Sequence, residues 1–157
     1  DVQVSDHTLL PDWRVADAVR NSGCCQPYQA YFQDRLNAFK PVLFTRSDLS
    51  VPLRTRNGER PAWYFRLAET GSGETDSLLR LRLRDSDAPM ALIALDARLK
   101  PLHFIPQVER QLTEATWKAV AFYESLISIA DPDVKAFILY FPAGAPARAN
   151  LEVEYRP

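Results

Sequence analysis

Residues 76–106, DSLLRLRLRDSDAPMALIALDARLKPLHFIP, decide the fold of this chain. Leucine and arginine alternate strictly over Leu79–Arg84, which is the period of two that a half-buried strand requires. Met90–Leu95 is apolar throughout and is typical of a strand covered on both faces. After a tight turn at Asp96–Leu99, the run Leu99–Ile105 predicts a third strand. The three runs together predict a meander of consecutive strands around which the rest of the chain is arranged.

Further strands are predicted on both sides of this stretch. Pro41–Phe44 and Ser50–Arg54 contain proline, which cannot donate to a strand ladder, so we expect both at a sheet edge or beside a bulge. Ala62–Leu67 predicts another strand, preceded by a turn at Asn57-Gly58. The last predicted strands are Val134–Phe141 and Asn150–Arg156, the latter with Leu151, Val153 and Tyr155 inward; Asp131–Asp133 and Pro142–Pro146 are predicted turns.

Two regions of the chain have a helical or ambiguous pattern. Asp12–Arg20 and Pro27–Leu36 predict short helices, so residues 1–38 are expected to form a helical N-terminal segment. Residues 109–123 contain good helix formers, but we predict a loop or helical turn up to Thr116 and a strand over Trp117–Ile129. The predicted fold is therefore mainly β, an antiparallel, jelly-roll-like β-sandwich over residues 39–157 with a short helical segment before it, all in one domain.

The composition narrows the class of protein. The 157 residues carry 19 Lys and Arg against 20 Asp and Glu, a net charge of −1, so no overall field draws the chain to nucleic acid. No apolar run approaches the roughly 20 residues that span a bilayer, and we expect no membrane span. The chain begins at Asp1 rather than at Met, and we expect that a signal peptide or lipid-attachment segment has been removed or lies outside the given sequence.

The two cysteines, Cys24 and Cys25, are adjacent. Adjacent cysteines cannot supply a disulfide framework or a spaced set of metal ligands. A vicinal disulfide, free thiols and an intermolecular bridge stay open, and two buried small residues are the simplest interpretation.

Candidate catalytic groups are scarce. His7 lies in the N-terminal arm, and His103 lies between Leu102 and Phe104 in a predicted strand, which favours a structural role. Asp131 and Asp133 flank a proline and are interpreted as turn formers. No nucleophile elbow, zinc motif, phosphate loop or dinucleotide fingerprint is present. We therefore predict no catalytic residue, no metal site and no cofactor, and expect a protein that is not an enzyme.

Two features are candidates for ligand binding. Arg80, Arg82 and Arg84 form a ladder on the outward face of one strand, which we expect to be extended by Arg54 and Arg66 on neighbouring strands. Its arginines either pair with carboxylates across the sheet or bind an anionic partner such as an acidic polysaccharide. The second feature is the set of three tryptophans, Trp13, Trp63 and Trp117. Trp63 is expected in the core, and Trp117 is the candidate for ligand contact.

The strand Ala62–Leu67, the strand Leu79–Leu83 and the hairpin Ala88–Pro101 occur in an order that resembles the maltose operon periplasmic protein (MalM) family. The later hydrophobic run Lys135–Phe141 also has a counterpart there, and the likeness covers about residues 24–141. The resemblance implies a periplasmic or outer-membrane-associated protein without known catalysis, and it supplies no set of functional residues.

These observations predict a non-catalytic accessory protein of the cell envelope, located in the periplasm, that binds carbohydrate or polysaccharide. A protein–protein adaptor subunit of an envelope complex is the alternative, and a small hydrolase is the third hypothesis. Exposed aromatics around a groove would favour carbohydrate, and a flat apolar patch would favour a protein partner. Facing carboxylates, or a nucleophile beside His103, would favour the hydrolase.

Overall fold

The structure is a computed structural model, and it describes residues 5–14, 24–49, 51–68 and 77–157. In these residues twelve strands form two six-stranded sheets. Apolar side chains of both sheets, such as Leu81 and Phe137, meet in one buried cluster, so the sheets pack face to face. The prediction of a mainly β sandwich is thus confirmed.

The strands are β1 (His7–Leu9), β2 (Asp34–Leu36), β3 (Val42–Thr45), β4 (Val51–Thr55), β5 (Gly58–Leu67), β6 (Ser77–Arg84), β7 (Ala91–Leu95), β8 (Pro101–Ile105), β9 (Gln111–Thr113), β10 (Phe122–Ile129), β11 (Ala136–Tyr140) and β12 (Asn150–Arg156). Short 3-10 turns are formed by Pro11–Trp13, Gln26–Tyr31 and Arg46–Asp48.

The first sheet has the strand order β1-β10-β6-β12-β3, with β9 also beside β10. The second sheet has the order β2-β5-β11-β7-β8, with β4 also beside β5. Strand β1 pairs with β10 in parallel, and β2 pairs with β5 in parallel. Each sheet is therefore mixed, whereas the sequence predicted antiparallel pairing alone.

The predicted meander is only partly correct. β7 and β8 form a hairpin, and its turn is closed by Asp96, whose Oδ1 accepts hydrogen bonds from the backbone N–H of Arg98 and Lys100 at 2.8 and 2.9 Å. However, β6 lies in the first sheet and β7 in the second. The link between β6 and β7 therefore crosses from one sheet to the other instead of making a hairpin.

The burial of the strands explains their sequence patterns. Leu79, Leu81 and Leu83 point into the space between the sheets while the arginines of β6 face outward, which accounts for the alternation. β7 and β11 are buried on both faces, because a second apolar cluster covers the outer face of the second sheet. That outer cluster contains Cys25, Phe32, Leu53, Ala62, Tyr64, Ala91, Ile93, Leu95, Leu99, Ala136, Ile138 and Tyr140.

The N-terminal prediction is wrong where the structure describes it. The predicted helix Pro27–Leu36 is replaced by the 3-10 turn Gln26–Tyr31 and by β2. Pairing with β5 places Leu36 in the interior with no exposed surface, and this burial outweighs the helical spacing. The predicted helix Asp12–Arg20 lies mostly outside the described residues.

The later elements follow the sequence more closely. β3 lies at the end of the first sheet, and β4 pairs only with β5 among the named strands, which confirms the edge positions expected from their prolines. β10 begins at Phe122, five residues after the predicted start at Trp117. Residues 109–123 form β9, a loop and the start of β10 rather than a helix. Within the described ranges, no helix is long and apolar enough to cross a membrane.

Candidate functional site

The three arginines predicted as a binding ladder share the outward face of β6, and all of them are paired. Arg80 Nη2 lies 3.3 Å from Glu152 and 3.5 Å from Glu154. The strands β10 and β12 flank β6 and bring glutamates to its arginines, because Glu124 and Glu152 are both in register with Arg82. The interpretation that these arginines pair with carboxylates across the sheet agrees with this geometry.

The other two arginines are held in the same way. Arg82 Nε donates to Glu124 Oε1 at 2.9 Å, and Arg84 Nη1 lies 3.8 Å from Glu152. Both guanidinium groups also lie over the ring of Phe122, at 4.7 and 5.4 Å from its centroid. Positive charge on this face is therefore balanced by carboxylates, and little of it is available to attract an acidic polymer.

The expected extension of the ladder does not exist. Arg54 belongs to β4 and Arg66 to β5, both in the second sheet, whereas Arg80, Arg82 and Arg84 belong to the first. The sequence pattern indicates which residues point outward from a strand, but it does not indicate which strands share a sheet.

The tryptophans have different environments. Trp63 is 1% exposed, and its Nε1–H donates to the backbone oxygen of Thr45 at 2.9 Å, as expected for a core residue. Trp117 is 90% exposed in the loop between β9 and β10, with Lys118 Nζ 4.7 Å from the ring centroid. Leu112 and Val120, before and after it in the chain, are also exposed. We call Leu112, Trp117 and Val120 the Trp117 patch.

A buried charge cluster joins His103, Asp131 and Arg14, and the sequence analysis missed it. His103 Nε2–H donates to Asp131 Oδ2 at 2.8 Å, and both side chains are almost fully buried. Arg14 makes two hydrogen bonds of 2.8 Å to the same carboxylate and one of 2.7 Å to Asp133. Arg14 and Asp131 are 117 residues apart, so no local sequence pattern predicts their contact. The position of His103 in an apolar strand was the one sequence feature that indicated a buried acidic partner.

The electrostatics of this cluster follow from its contacts. Burial raises the pKa of Asp131, but the hydrogen bonds from Arg14 and His103 outweigh burial and bring the pKa down to about 2. The same contacts raise the pKa of Arg14 above its usual value, Asp131 having the larger effect and Asp133 the smaller. Asp131 is therefore ionised at neutral pH, and its carboxylate accepts hydrogen bonds from both Arg14 and His103.

The surroundings of His103 bear on the hydrolase hypothesis. Among the described residues, His103 hydrogen-bonds Asp131, and no serine, threonine or cysteine side chain contacts its imidazole. The part of the chain that the structure describes also contains no group of three or more His, Cys, Asp and Glu side chains suited to hold a metal ion.

A cavity of about 260 Å³ opens on the outer face of the second sheet, between Leu53, Ile93, Phe104 and Tyr140. Arg60 borders it, but its guanidinium already donates to the backbone oxygens of Pro142 and Glu59 at 2.7 and 3.0 Å. Burial raises the pKa of Tyr140, while nearby Arg60 opposes the shift.

Cys24 also lines this cavity and forms a disulfide with Cys25, which is the vicinal pairing that the sequence left open. Cys25 is buried in the outer cluster, so the expectation of a small buried residue also holds for that position.

Comparison with known proteins gives no match to a protein family, to a curated protein or to a solved structure.

Proposed function

We propose that the protein is a non-catalytic binding module of the cell envelope, and that it contacts a carbohydrate chain through the Trp117 patch. The observation that carries this proposal is the 90% exposure of the Trp117 ring. A tryptophan offers a flat apolar face and an N–H donor, which match the C–H face and the hydroxyls of a sugar ring. Tryptophan has a large apolar side chain. When a ligand covers an exposed indole, more apolar surface is therefore removed from water than at a smaller side chain.

The location and the lack of catalysis are parts of the same proposal. The resemblance of residues 24–141 to the maltose operon periplasmic protein family supports a periplasmic location. The Asp131 carboxylate that bonds His103 also accepts two hydrogen bonds from Arg14. These contacts support a structural role for the cluster.

The arginine face is a secondary contact in this proposal. Arg82 and Arg84 retain partial exposure, and their guanidinium groups are held in place by glutamates and by Phe122. Held in this way, their remaining N–H donors can bond the hydroxyls of a sugar chain.

A protein partner is the second candidate for the same surface. Leu112 and Val120, five residues before and three residues after Trp117 in the chain, are 50% and 60% exposed and add aliphatic surface to the same segment. Leu112 also lies in β9, a three-residue edge strand with every residue exposed. An apolar patch next to a free strand edge suits a protein better than a sugar, and this alternative corresponds to an adaptor subunit of an envelope complex.

We expect Trp117→Ala to weaken binding of neutral or uronate-containing oligosaccharides by about tenfold or more, the loss typical of removing a central aromatic contact. Binding is measured by calorimetric titration of oligosaccharides and by quenching of the Trp117 fluorescence. Trp13→Ala is the matched control, because Trp13 is also exposed, at 67%, and lies outside the patch.

Three other results would contradict the carbohydrate proposal. Absence of binding to every oligosaccharide tested would favour the adaptor, as would loss of an envelope protein partner in Leu112→Ser. Binding that is lost in Arg84→Gln and in high salt, but is kept in Trp117→Ala, would transfer the site to the arginine face.

A further inference from the structure

Three cationic residues, Arg35, Arg66 and Lys135, lie close together at the second sheet. Arg35 on β2 is the direct register partner of Arg66 on β5, and Ala136, next to Lys135, is the register partner of Arg66 on its other side. Side chains of directly paired residues point to the same face of a sheet. Like charges in that position repel one another and destabilise the pairing, unless an anion lies between them.

No carboxylate of the described residues lies within ion-pair distance of these three cations. Arg35, Arg66 and Lys135 form no ion pair with any carboxylate in the described ranges, in contrast to the arginines of β6. Asp34 precedes Arg35 on β2 but does not line the cavity described below. Asp96 is close, but its Oδ1 accepts two backbone hydrogen bonds in the β7–β8 turn.

The three cations border one cavity of about 420 Å³, which lies at the end of the second sheet where β5 finishes and β11 begins. Leu67, Ala68, Leu99 and Ala136 supply its apolar wall, and Asp96 is its only carboxylate among the described residues. A neighbouring cavity shares Asp96 and Leu99 and adds Arg98 and Lys100. Among the described residues that line the two cavities, five cationic side chains face one carboxylate, although the whole chain is nearly neutral.

Arg66 also has an unpaired donor, as Arg80 has on the first sheet. Its Nε is buried and has no hydrogen-bond partner, while its guanidinium lies 5.8 Å from the centroid of the Phe32 ring. An unpaired buried donor is costly, and few are found in folded proteins without a reason. Arg66 also lines the cavity, so a shift of its side chain on anion binding would bring this donor to an oxyanion there.

We propose that this cavity binds a phosphate or sulfate group, held by the forks of Arg35 and Arg66 and by the ammonium group of Lys135. Two guanidinium forks and one ammonium supply several donors to a tetrahedral dianion, and arginine is the residue best matched to such groups. The volume exceeds that of the anion alone, so the group belongs to a larger ligand such as a phosphorylated or sulfated sugar. The site is separate from the Trp117 patch, which lies at β9 and β10 of the first sheet.

The test titrates inorganic phosphate and sulfate into the protein at constant ionic strength, with chloride as the balancing anion. Binding is followed by calorimetry and by the rise in melting temperature that a ligand of the folded state produces. Arg66→Gln is expected to weaken phosphate binding by about tenfold or more, because a charge-assisted hydrogen bond is lost. Arg148→Gln is the matched control, since Arg148 is an exposed arginine in the loop between β11 and β12.

The melting temperature of Arg35→Gln distinguishes an anion site from a purely structural role of Arg35. Without phosphate and at low salt, this substitution is expected to raise the melting temperature by up to about 4 °C, because the repulsion with Arg66 is removed. The same variant is expected to lose most of the phosphate-dependent rise. Arg66→Lys, which keeps the charge and loses the fork, is expected to bind with intermediate affinity.

Phosphate affinity that is unchanged in Arg66→Gln, or reduced equally in Arg148→Gln, would refute the site. Acetate binding as tightly as phosphate and sulfate would refute a site for a tetrahedral dianion. Trp117→Ala is expected to leave phosphate affinity unchanged, so failure of the carbohydrate proposal and failure of this one are distinguishable.

Discussion

Trp63→Ala is expected to lower the free energy of unfolding by about 3–5 kcal/mol, the range observed when large aromatic side chains are removed from cores. The Trp63 ring lies between the sheets, with its centroid 5.3 Å from that of Phe141 in an edge-to-face contact. Its indole N–H also bonds Thr45 in β3 of the other sheet. The substitution therefore leaves a cavity, removes a link between the two sheets and leaves the oxygen of Thr45 without that donor.

Urea denaturation followed by circular dichroism measures this loss. Trp117→Ala is the matched control, because the same side chain is removed from a position that is 90% exposed, and its expected effect is within about 0.5 kcal/mol. Trp63→Phe keeps most of the packing and removes the hydrogen bond. We expect it to lower the free energy of unfolding by about 1 kcal/mol for the hydrogen bond, and by a further amount because the phenyl ring is smaller than the indole. Equal stability of Trp63→Ala and Trp117→Ala would contradict the assignment of Trp63 to the core.

Asp131→Asn is expected to lower the free energy of unfolding at neutral pH by about 2–4 kcal/mol, because a buried ion pair loses one partner. The side chain of Asp131 has no exposed surface, and it binds both His103 and Arg14. Asparagine keeps the size of the residue but cannot accept hydrogen bonds from all of these donors. Arg14 is 36% exposed and recovers part of its hydration, so we expect less than the full cost of a buried charge.

The effect depends on pH in a direction that follows from the pKa of Asp131. That pKa is lowered on folding, from 3.8 to about 2. The stability contributed by the carboxylate is therefore fully present above about pH 4, and it is lost as the pH falls through about 2. The difference in stability between wild type and Asp131→Asn should shrink over that interval when urea unfolding is repeated at each pH.

Asp133→Asn is the matched control for Asp131. Asp133 contacts the same arginine, but its side chain is 64% exposed, so the expected loss is below about 1 kcal/mol. A stability difference for Asp131→Asn that stays constant between pH 5 and pH 2 would show that the carboxylate charge is not what stabilises the cluster.

Local patterns account for much of the fold. The alternation in Leu79–Arg84 is sufficient to predict β6 and its buried face, because side chains of a strand point to alternate sides whatever the neighbouring strand is. The β7–β8 turn is equally local, since the Asp96 carboxylate bonds backbone groups only two and four residues away. Proline excluded β3 and β4 from central positions through its missing donor.

The candidate sites divide in the same way. Trp117 was predicted as the start of a strand and as a candidate for ligand contact, and only the structure places it in the exposed loop before β10. The pairing of Arg80, Arg82 and Arg84 with glutamates was one of two interpretations, and the choice between them depends on the register of β10 and β12 beside β6. Register is not encoded in the period of a single strand.

The sequence by itself determined β5 to β8, β11 and β12, the buried faces of β6 and β12 and the turn between β7 and β8, because these depend on contacts within a few residues. It missed β1, β2 and β9, which are three residues long and depend on pairing with distant strands. Only the tertiary structure decided that β6 and β7 belong to different sheets, and that β1 and β2 pair in parallel. Only it brought Arg14 to Asp131 and placed Arg35 opposite Arg66. Those contacts join positions about 30 to 120 residues apart, and their free energy comes from burial and charge pairing that exist only once both sheets have formed.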